Sequence, residues 1–239
     1  MIYPRVIAHR CGGALAPENT LAGLRLAARL GCRGVEFDAM LAADGVPVLI
    51  HDETLERTTS GHGPVAAQSS SGLVRLDAGG HHHPAFAAEP LPTLDAALRL
   101  CAVLGLWANV EIKPSAGAEA ATGRAVAQRA AAATGALVLS SFSAQALHAA
   151  AEEAPQLPRA MLVEALPTDW QRRMTESGAL ALHASARALT ADARAAVLAG
   201  GFSLACYTVN RRDDGERLFA LGVTAIFTDR PDLWASSEM

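Results

Sequence analysis

A closed (β/α)8 (TIM) barrel with a small insertion is the fold class this sequence predicts, on three observations. Short apolar runs that end in polar residues alternate with helical patterns along almost the whole chain. Eight such runs can be counted when one hairpin return arm is set aside, and the total of 239 residues is close to the roughly 250 typical of that barrel. No GxGxxG follows the first strand, which argues against an open doubly wound sheet.

The first run, Val6 to Ala8, is apolar and ends at His9 and Arg10, as a buried parallel strand does when it delivers polar side chains at its C-terminal end. After Gly12 and Gly13, the segment Pro17-Glu18-Asn19-Thr20 opens a helix with Asn19 or Thr20 as N-cap and Leu21, Leu24 and Ala28 on one face, stopping near Gly31. In the second strand, Gly34 to Leu41, Glu36 and Asp38 share a face because side chains alternate along a strand. Two ionised carboxylates side by side are costly there unless a cation joins them. A surface strand would tolerate them, but Val35, Phe37, Met40 and Leu41 are apolar.

Asp44-Gly45 is a two-residue turn signal, followed by the return arm Val46 to His51. Counting back from that turn sets Asp38 opposite His51. Pro47 fits an edge arm that can lack a donor. Residues 53–92 then break the pattern, with many Ser, Thr, Gly and His, and read as an insertion over the mouth of the site. The run His81-His82-His83 reads as solvated loop, since consecutive loop residues seldom face one ion.

Regularity resumes with a helix from Thr93 to about Gly105 and the strand Trp107 to Lys113, which puts Glu111 and Lys113 on one face. The later strands end near Phe142, Val163, His183, Asn210 and Asp229, with helices between them. His183 is a candidate for lining the pocket, although a strand-end histidine also serves structurally. Asn210 either reaches the pocket or caps the next helix, and Asp229 reads as a strand-end turn. The chain is taken as one domain, residues 1–239.

Net charge of -4 and a pI near 6.1, with no basic run, exclude nucleic acid as a bulk partner. The start MIYPRVIAHR has neither the charged start nor the apolar core of a secretion signal, and no stretch has the length of a membrane span, so a soluble cytoplasmic protein without a membrane partner is expected. Cys11, Cys32, Cys101 and Cys206 are scattered, which suits reduced thiols rather than disulfides or zinc ligation.

At the C-terminal ends of the strands fall His9, Arg10, Glu36, Asp38, Glu111 and Lys113, with His51 beside them. Three inward carboxylates make an oxygen-rich site suited to a hard cation, Mg2+ or Ca2+. Two histidines from separate strands can serve as general base and general acid. Arg10 and Lys113 add fixed positive charge for an anionic substrate. Cation, positive charge and an acid/base pair together describe attack on a phosphate diester.

The motifs HR at His9-Arg10, APENT at Ala16 to Thr20, ExD at Glu36 and Asp38, HD at His51-Asp52, RT at Arg57-Thr58, EIKP at Glu111 to Pro114, YTVN at Tyr207 to Asn210 and TDRP at Thr228 to Pro231 resemble the glycerophosphodiester phosphodiesterase family, nearly end to end and in order. LPRAMLVE, SSF, DAGG and EPLPTL look particularly like its bacterial cytoplasmic type. The resemblance implies a TIM barrel that hydrolyses small glycerophosphodiesters, such as glycerophosphocholine or glycerophosphoethanolamine, to glycerol 3-phosphate and an alcohol. It also implies Glu36, Asp38 and Glu111 as metal ligands, His9 and His51 as the acid/base pair, and Arg10 and Lys113 on the phosphate. His51 is expected to be the acid, its imidazolium stabilised by Asp38.

One departure stands at Cys11, where the family commonly has Gly. Its side chain is expected to line the pocket, as a thiol made reactive by its electropositive neighbours. The nearest rival is a related barrel phosphodiesterase acting on phospholipid head groups, which would be expected to carry a secretion signal or exposed apolar surface. A barrel hydrolase of amides would carry an HxH pair on its first strand, which is absent.

Overall fold

The computed structural model describes residues 3–234. The strands are β1 (Val6–Ala8), β2 (Gly34–Leu41), β3 (Pro47–Leu49), β4 (Trp107–Ile112), β5 (Leu137–Ser141), β6 (Arg159–Val163), β7 (Ala181–Ser185), β8 (Ser203–Tyr207) and β9 (Ala225–Thr228). All but β3 pair in parallel in the order β1-β2-β4-β5-β6-β7-β8-β9, and β9 returns to β1 through Val6↔Ile226 and Ala8↔Thr228. The barrel of eight parallel strands is therefore closed, as the alternation in the sequence requires.

The helices are α1 (Leu21–Arg29), α2 (Ser70–Leu73), α3 (Leu94–Leu104), α4 (Glu119–Ala131), α5 (Ala144–Glu153), α6 (Trp170–Ser177), α7 (Ala191–Ala199) and α8 (Arg212–Ala220). Hydroxyl side chains start several of them. Thr20 Oγ1 accepts from Gly23 N, and Thr93, Ser143 and Thr190 cap α3, α5 and α7 in the same way. None of these helices is long and apolar enough to cross a membrane.

The barrel interior is packed rather than hollow. Small residues Ala160, Ala181, Ala205 and Ala225 make room for Tyr3 and Trp107, which fill the N-terminal end, and Phe227 lies above them. With that end filled by rings, the open face is at the strand C-termini.

The hairpin departs from the sequence reading by one residue. Gly45 takes a left-handed φ of 75°, and Ala42 N donates to Val46 O at 3.0 Å, so the loop holds Ala43, Asp44 and Gly45 rather than two residues. The resulting register, Ala39↔Leu49 and Leu41↔Pro47, sets Asp38 opposite Ile50, not His51. His51 still reaches the site because β3 ends at Leu49 and the chain then turns over the barrel mouth.

Residues 53–92 are ordered, contrary to a plain loop. Leu55, Val65, Leu73, Ala78 and Leu91 pack on Met40, Val48 and Ile50 of the hairpin, forming a satellite core. Asp44 at the turn accepts from Ser70 N and from Ser70 Oγ, tying α2 to the hairpin tip. This segment overhangs the strand ends on the side of β1.

Candidate active site

Three carboxylates converge at the barrel mouth. Asp38 on β2 lies beside Glu111 on β4 in the parallel register, and Glu36 is two residues back on the same face. Ligand oxygens from Glu36, Asp38 and Glu111 all lie within 4.8 Å of one another, and Glu36 and Asp38 are buried. Burial, reinforced by the charge of Asp38, pushes the carboxyls of both Glu36 and Glu111 well above the usual range.

Surrounding groups fix these side chains. Arg10 has a left-handed backbone, φ 49°, and its N–H donates to Glu36 Oε2 at 2.8 Å. Asn19 pairs with Asp38 twice, Nδ2 donating to Oδ2 at 2.8 Å and Oδ1 accepting from the backbone N–H at 3.0 Å. Lys113 Nζ donates to Glu111 Oε1 at 3.2 Å and sits 3.6 Å from Asp38 Oδ1. Arg10 Nε is 3.8 Å from Asp38 Oδ2. Among the described residues, buried Glu36 Oε1 has no hydrogen-bond partner. An all-oxygen donor set with one orphaned buried carboxylate oxygen fits a hard divalent cation.

Two imidazoles line the same chamber as the carboxylates, and a carboxylate orients each. His9 Nδ1 donates to Asp229 Oδ1 at 2.7 Å, which leaves Nε2 facing Glu36 at 3.9 Å. His51 Nδ1 donates to Asp52 Oδ1 at 2.6 Å, and Arg57 holds Asp52 through Nε and Nη2. Because an ionised carboxylate only accepts, both rings present Nε2 for chemistry. Burial tends to lower the His9 pKa, but the hydrogen bond His9 donates to Asp229 and the charge of Glu36 outweigh it and raise it. For His51 burial wins over Asp38 and Asp52, and its pKa falls. Stabilisation of a His51 imidazolium by Asp38, expected from the sequence, is thus overridden by desolvation.

Two chambers meet at this cluster. The inner one, about 180 Å³, contains the carboxylates, His51 and Lys113, with Phe142, Leu162, Tyr207 and Phe227 as an apolar wall. The outer one, about 480 Å³, lies under the 53–92 segment, which contributes Arg57, Thr58, Ala78, His81 and His82. His9 and Arg10 line both.

A model of the glycerophosphoryl diester phosphodiesterase family matches residues 9–233. The chain belongs to that family. It is 33% identical over 237 residues to a glycerophosphodiester phosphodiesterase of Caldanaerobacter subterraneus subsp. tengcongensis, covering 95% of this chain and 94% of the relative. A solved phosphodiesterase of Oleispira antarctica, in complex with the product sn-glycerol-3-phosphate, superposes with TM-score 0.92 at 34% identity, covering 96% of this chain and 94% of that one. The glycerophosphodiester phosphodiesterase of Agrobacterium tumefaciens C58 gives TM-score 0.76 at 28% identity, covering 99% and 100%. Membership makes this chain a phosphoric diester hydrolase acting on glycerophosphodiesters.

Within the family's barrel, three candidate residues sit elsewhere than the sequence suggested. Cys11 is fully buried and belongs to the core behind the barrel wall, not to the pocket. Its positive φ of 76° turns the side chain toward α1, and burial together with nearby Cys101, Glu36 and Asp38 pushes the thiol well above its ordinary pKa. An inert thiol replaces the reactive one expected. His183 is also fully buried, bonded through Nε2 to Tyr3 Oη at 2.9 Å and packed against Phe227, so it lies beneath the pocket floor. Burial drops its pKa to about 3, which keeps it neutral. Asn210 lines neither chamber and does not cap α8, whose N-cap is Arg211. Its Nδ2 donates to Asp229 Oδ2 at 2.8 Å and its Oδ1 accepts from Asp229 N at 2.8 Å.

Sequence reasoning placed none of Asp229, Asp52, Glu18, Arg57 and Asn19 in the site, reading Asn19 as a possible helix cap and Asp229 as a strand-end turn. Glu18 and Arg57 form a two-point ion pair, both bonds 2.8 Å, that joins the β1 loop to the 53–92 segment. The signal was the juxtaposition of His51 with Asp52, since an acidic neighbour can orient an imidazole. Asp229 is 220 positions from His9 and only the closed barrel brings them together.

Proposed function

We propose that the enzyme hydrolyses small glycerophosphodiesters, such as glycerophosphocholine and glycerophosphoethanolamine, to sn-glycerol 3-phosphate and an alcohol, with the barrel and its 53–92 segment acting as one unit. The observation that carries this reading is the carboxylate cluster sharing one chamber with two carboxylate-oriented imidazoles. Glu36, Asp38 and Glu111 hold a divalent cation, Mg2+ or Ca2+, which when bound supplies Lewis acidity and offsets the charge of the phosphate. Arg10 and Lys113 bind phosphate oxygens, with Lys113 kept charged by Glu111 and Asp38 against its own burial.

His9 is the acid and His51 the base in the step that expels the alcohol. His9 lines the outer chamber as well as the inner, while His51 does not border the outer one. Asp229 and Glu36 raise the His9 pKa, which favours the protonated ring as the proton donor. A bound cation would offset the share due to Glu36 but leave the hydrogen bond that His9 donates to Asp229. His51, neutral and with Nδ1–H on Asp52, can accept a proton at Nε2 from the water that attacks phosphorus as the P–O bond to the alcohol breaks.

Leaving-group dependence tests this division. A choline alkoxide needs a proton to depart, whereas a nitrophenolate does not, so losing the acid costs roughly 100- to 10,000-fold only on the natural diester. His9→Ala is expected to lower kcat/KM for glycerophosphocholine far more than for glycerophosphonitrophenol, and His51→Ala to lower both. Equal losses on both substrates for both variants would refute the division of roles.

A further inference from the structure

The outer chamber has a lining that suits one kind of head group. We propose that it is the head-group subsite and that it selects a hydroxyl-rich, uncharged head group, such as glycerol or a cyclitol, over a quaternary ammonium. This rests on the diesterase reading above. A diester carries two arms on one phosphorus, and His9 and Arg10 stand at the junction of the two chambers. Phosphate and the three-carbon glycerol fit the smaller inner chamber. The variable arm then enters the larger outer one, with its leaving oxygen at His9.

The outer lining offers a trimethylammonium group little. Among the described residues it holds no Phe, Tyr or Trp, so it offers no such aromatic face to a quaternary ammonium. Its two carboxylates are already engaged. Glu18 accepts from Arg57 twice at 2.8 Å and from Arg10 at 3.0 Å, and Asp229 accepts from His9 and Asn210. Two guanidinium groups balance those two carboxylates and the His9 imidazolium adds positive charge, so the lining has no negative charge left to attract a cation.

Hydroxyl groups find better partners. His81 and His82 are exposed side chains on the roof, and Thr58 adds a hydroxyl beside them. A neutral imidazole donates at one nitrogen and accepts at the other, and a hydroxyl does both, which matches a polyol. His82 stacks edge-on against Phe86 with centroids 5.6 Å apart, and His81 Nδ1 lies 3.4 Å from the Arg57 carbonyl. Both rings are thereby oriented, with His81 Nε2 left to meet the ligand. The chamber thus gives two of the three consecutive histidines a task that solvated loop residues would not have.

Steady-state kinetics with glycerophosphoinositol, glycerophosphoglycerol and glycerophosphocholine test the proposal. The expected result is a kcat/KM about 10-fold higher for the two polyol diesters, as hydrogen-bonded recognition of hydroxyls gives. His81→Ala and His82→Ala should each shrink that ratio, chiefly through a higher KM for the polyol diesters. His148→Ala, an exposed position on α5 paired with Glu152, serves as control and should keep it. Equal or better turnover of the choline diester would overturn the subsite assignment, as would a preference that neither histidine variant alters. Absence of turnover on all three diesters would instead overturn the diesterase reading, and the subsite with it.

Discussion

Asp229→Asn tests how His9 is held. In the wild-type site Asp229 accepts twice, from His9 Nδ1 through Oδ1 and from Asn210 Nδ2 through Oδ2. An asparagine keeps only one oxygen. Asn210 Nδ2 is a fixed donor, because its own Oδ1 is bound to the backbone N–H of residue 229. The remaining oxygen must therefore face Asn210, and the new NH2 group faces His9 Nδ1. The imidazole must then accept at Nδ1 and carry its proton at Nε2 as the neutral ring, a far weaker acid than imidazolium.

The lost bond is charge-assisted and of a type that contributes about 1.5–3 kcal/mol, which corresponds to roughly a 10- to 150-fold fall in kcat. The backbone bond from Ala14 N to Asp229 O, 2.8 Å, does not depend on the side chain, so the fold persists. Stopped assays of alcohol release across pH measure the effect. The sign follows from the pKa. Asp229 raises that of His9, so the acid form is lost at lower pH in the variant, and the alkaline limb of the kcat profile should shift to lower pH. An unchanged rate on the natural diester, or an alkaline limb that stays in place, would refute the role given to this pair.

Two further predictions come from the thiol of Cys11, buried in the core behind the barrel wall. All four cysteines are buried, so a thiol reagent should count none in the native enzyme and four after denaturation; fast stoichiometric labelling of Cys11 in the folded enzyme would contradict its placement. A Cβ built on Gly23 would lie 2.9 Å from Cys11 Cβ and 3.0 Å from Gly12 N, so Gly23→Ala overpacks this contact and should cost about 1–3 kcal/mol, lowering Tm by roughly 2–12 °C. Adding Cys11→Gly removes one of the two clashing partners. The double variant should thus lose about 1 kcal/mol less than the sum of the singles, and strict additivity in thermal melts would show that the two do not touch.

Most of the inner chamber was legible in the sequence because its residues sit on short strands with a period of two. Alternation along a strand alone puts Glu36 with Asp38, and Glu111 with Lys113, on shared faces. Register was harder. A single left-handed glycine converted a two-residue turn into a three-residue one, and only β3 stopping short brought His51 to the cluster. Side-chain direction in the irregular loop after β1 was not legible either. Cys11 follows two site residues, yet a positive φ sends it into the core rather than into the electropositive corner. His183 shows the matching limit within a strand, for alternation gives its face but not its depth in the barrel, where Tyr3 and Phe227 enclose it. Asp229 could not be recognised as the partner of His9 without closure of β9 on β1.

Product analysis with and without chelation bears most directly on the central claim, that three mutually repelling carboxylates are there to bind a cation for diester hydrolysis. With Mg2+ or Ca2+ present, a glycerophosphodiester should yield sn-glycerol 3-phosphate and its alcohol in equal amounts. After EDTA treatment and removal of the chelate, turnover should vanish and return on adding the cation, and Glu36→Gln or Glu111→Gln should raise the concentration needed for that rescue. Full release of both products by enzyme shown to be metal-free would contradict the account.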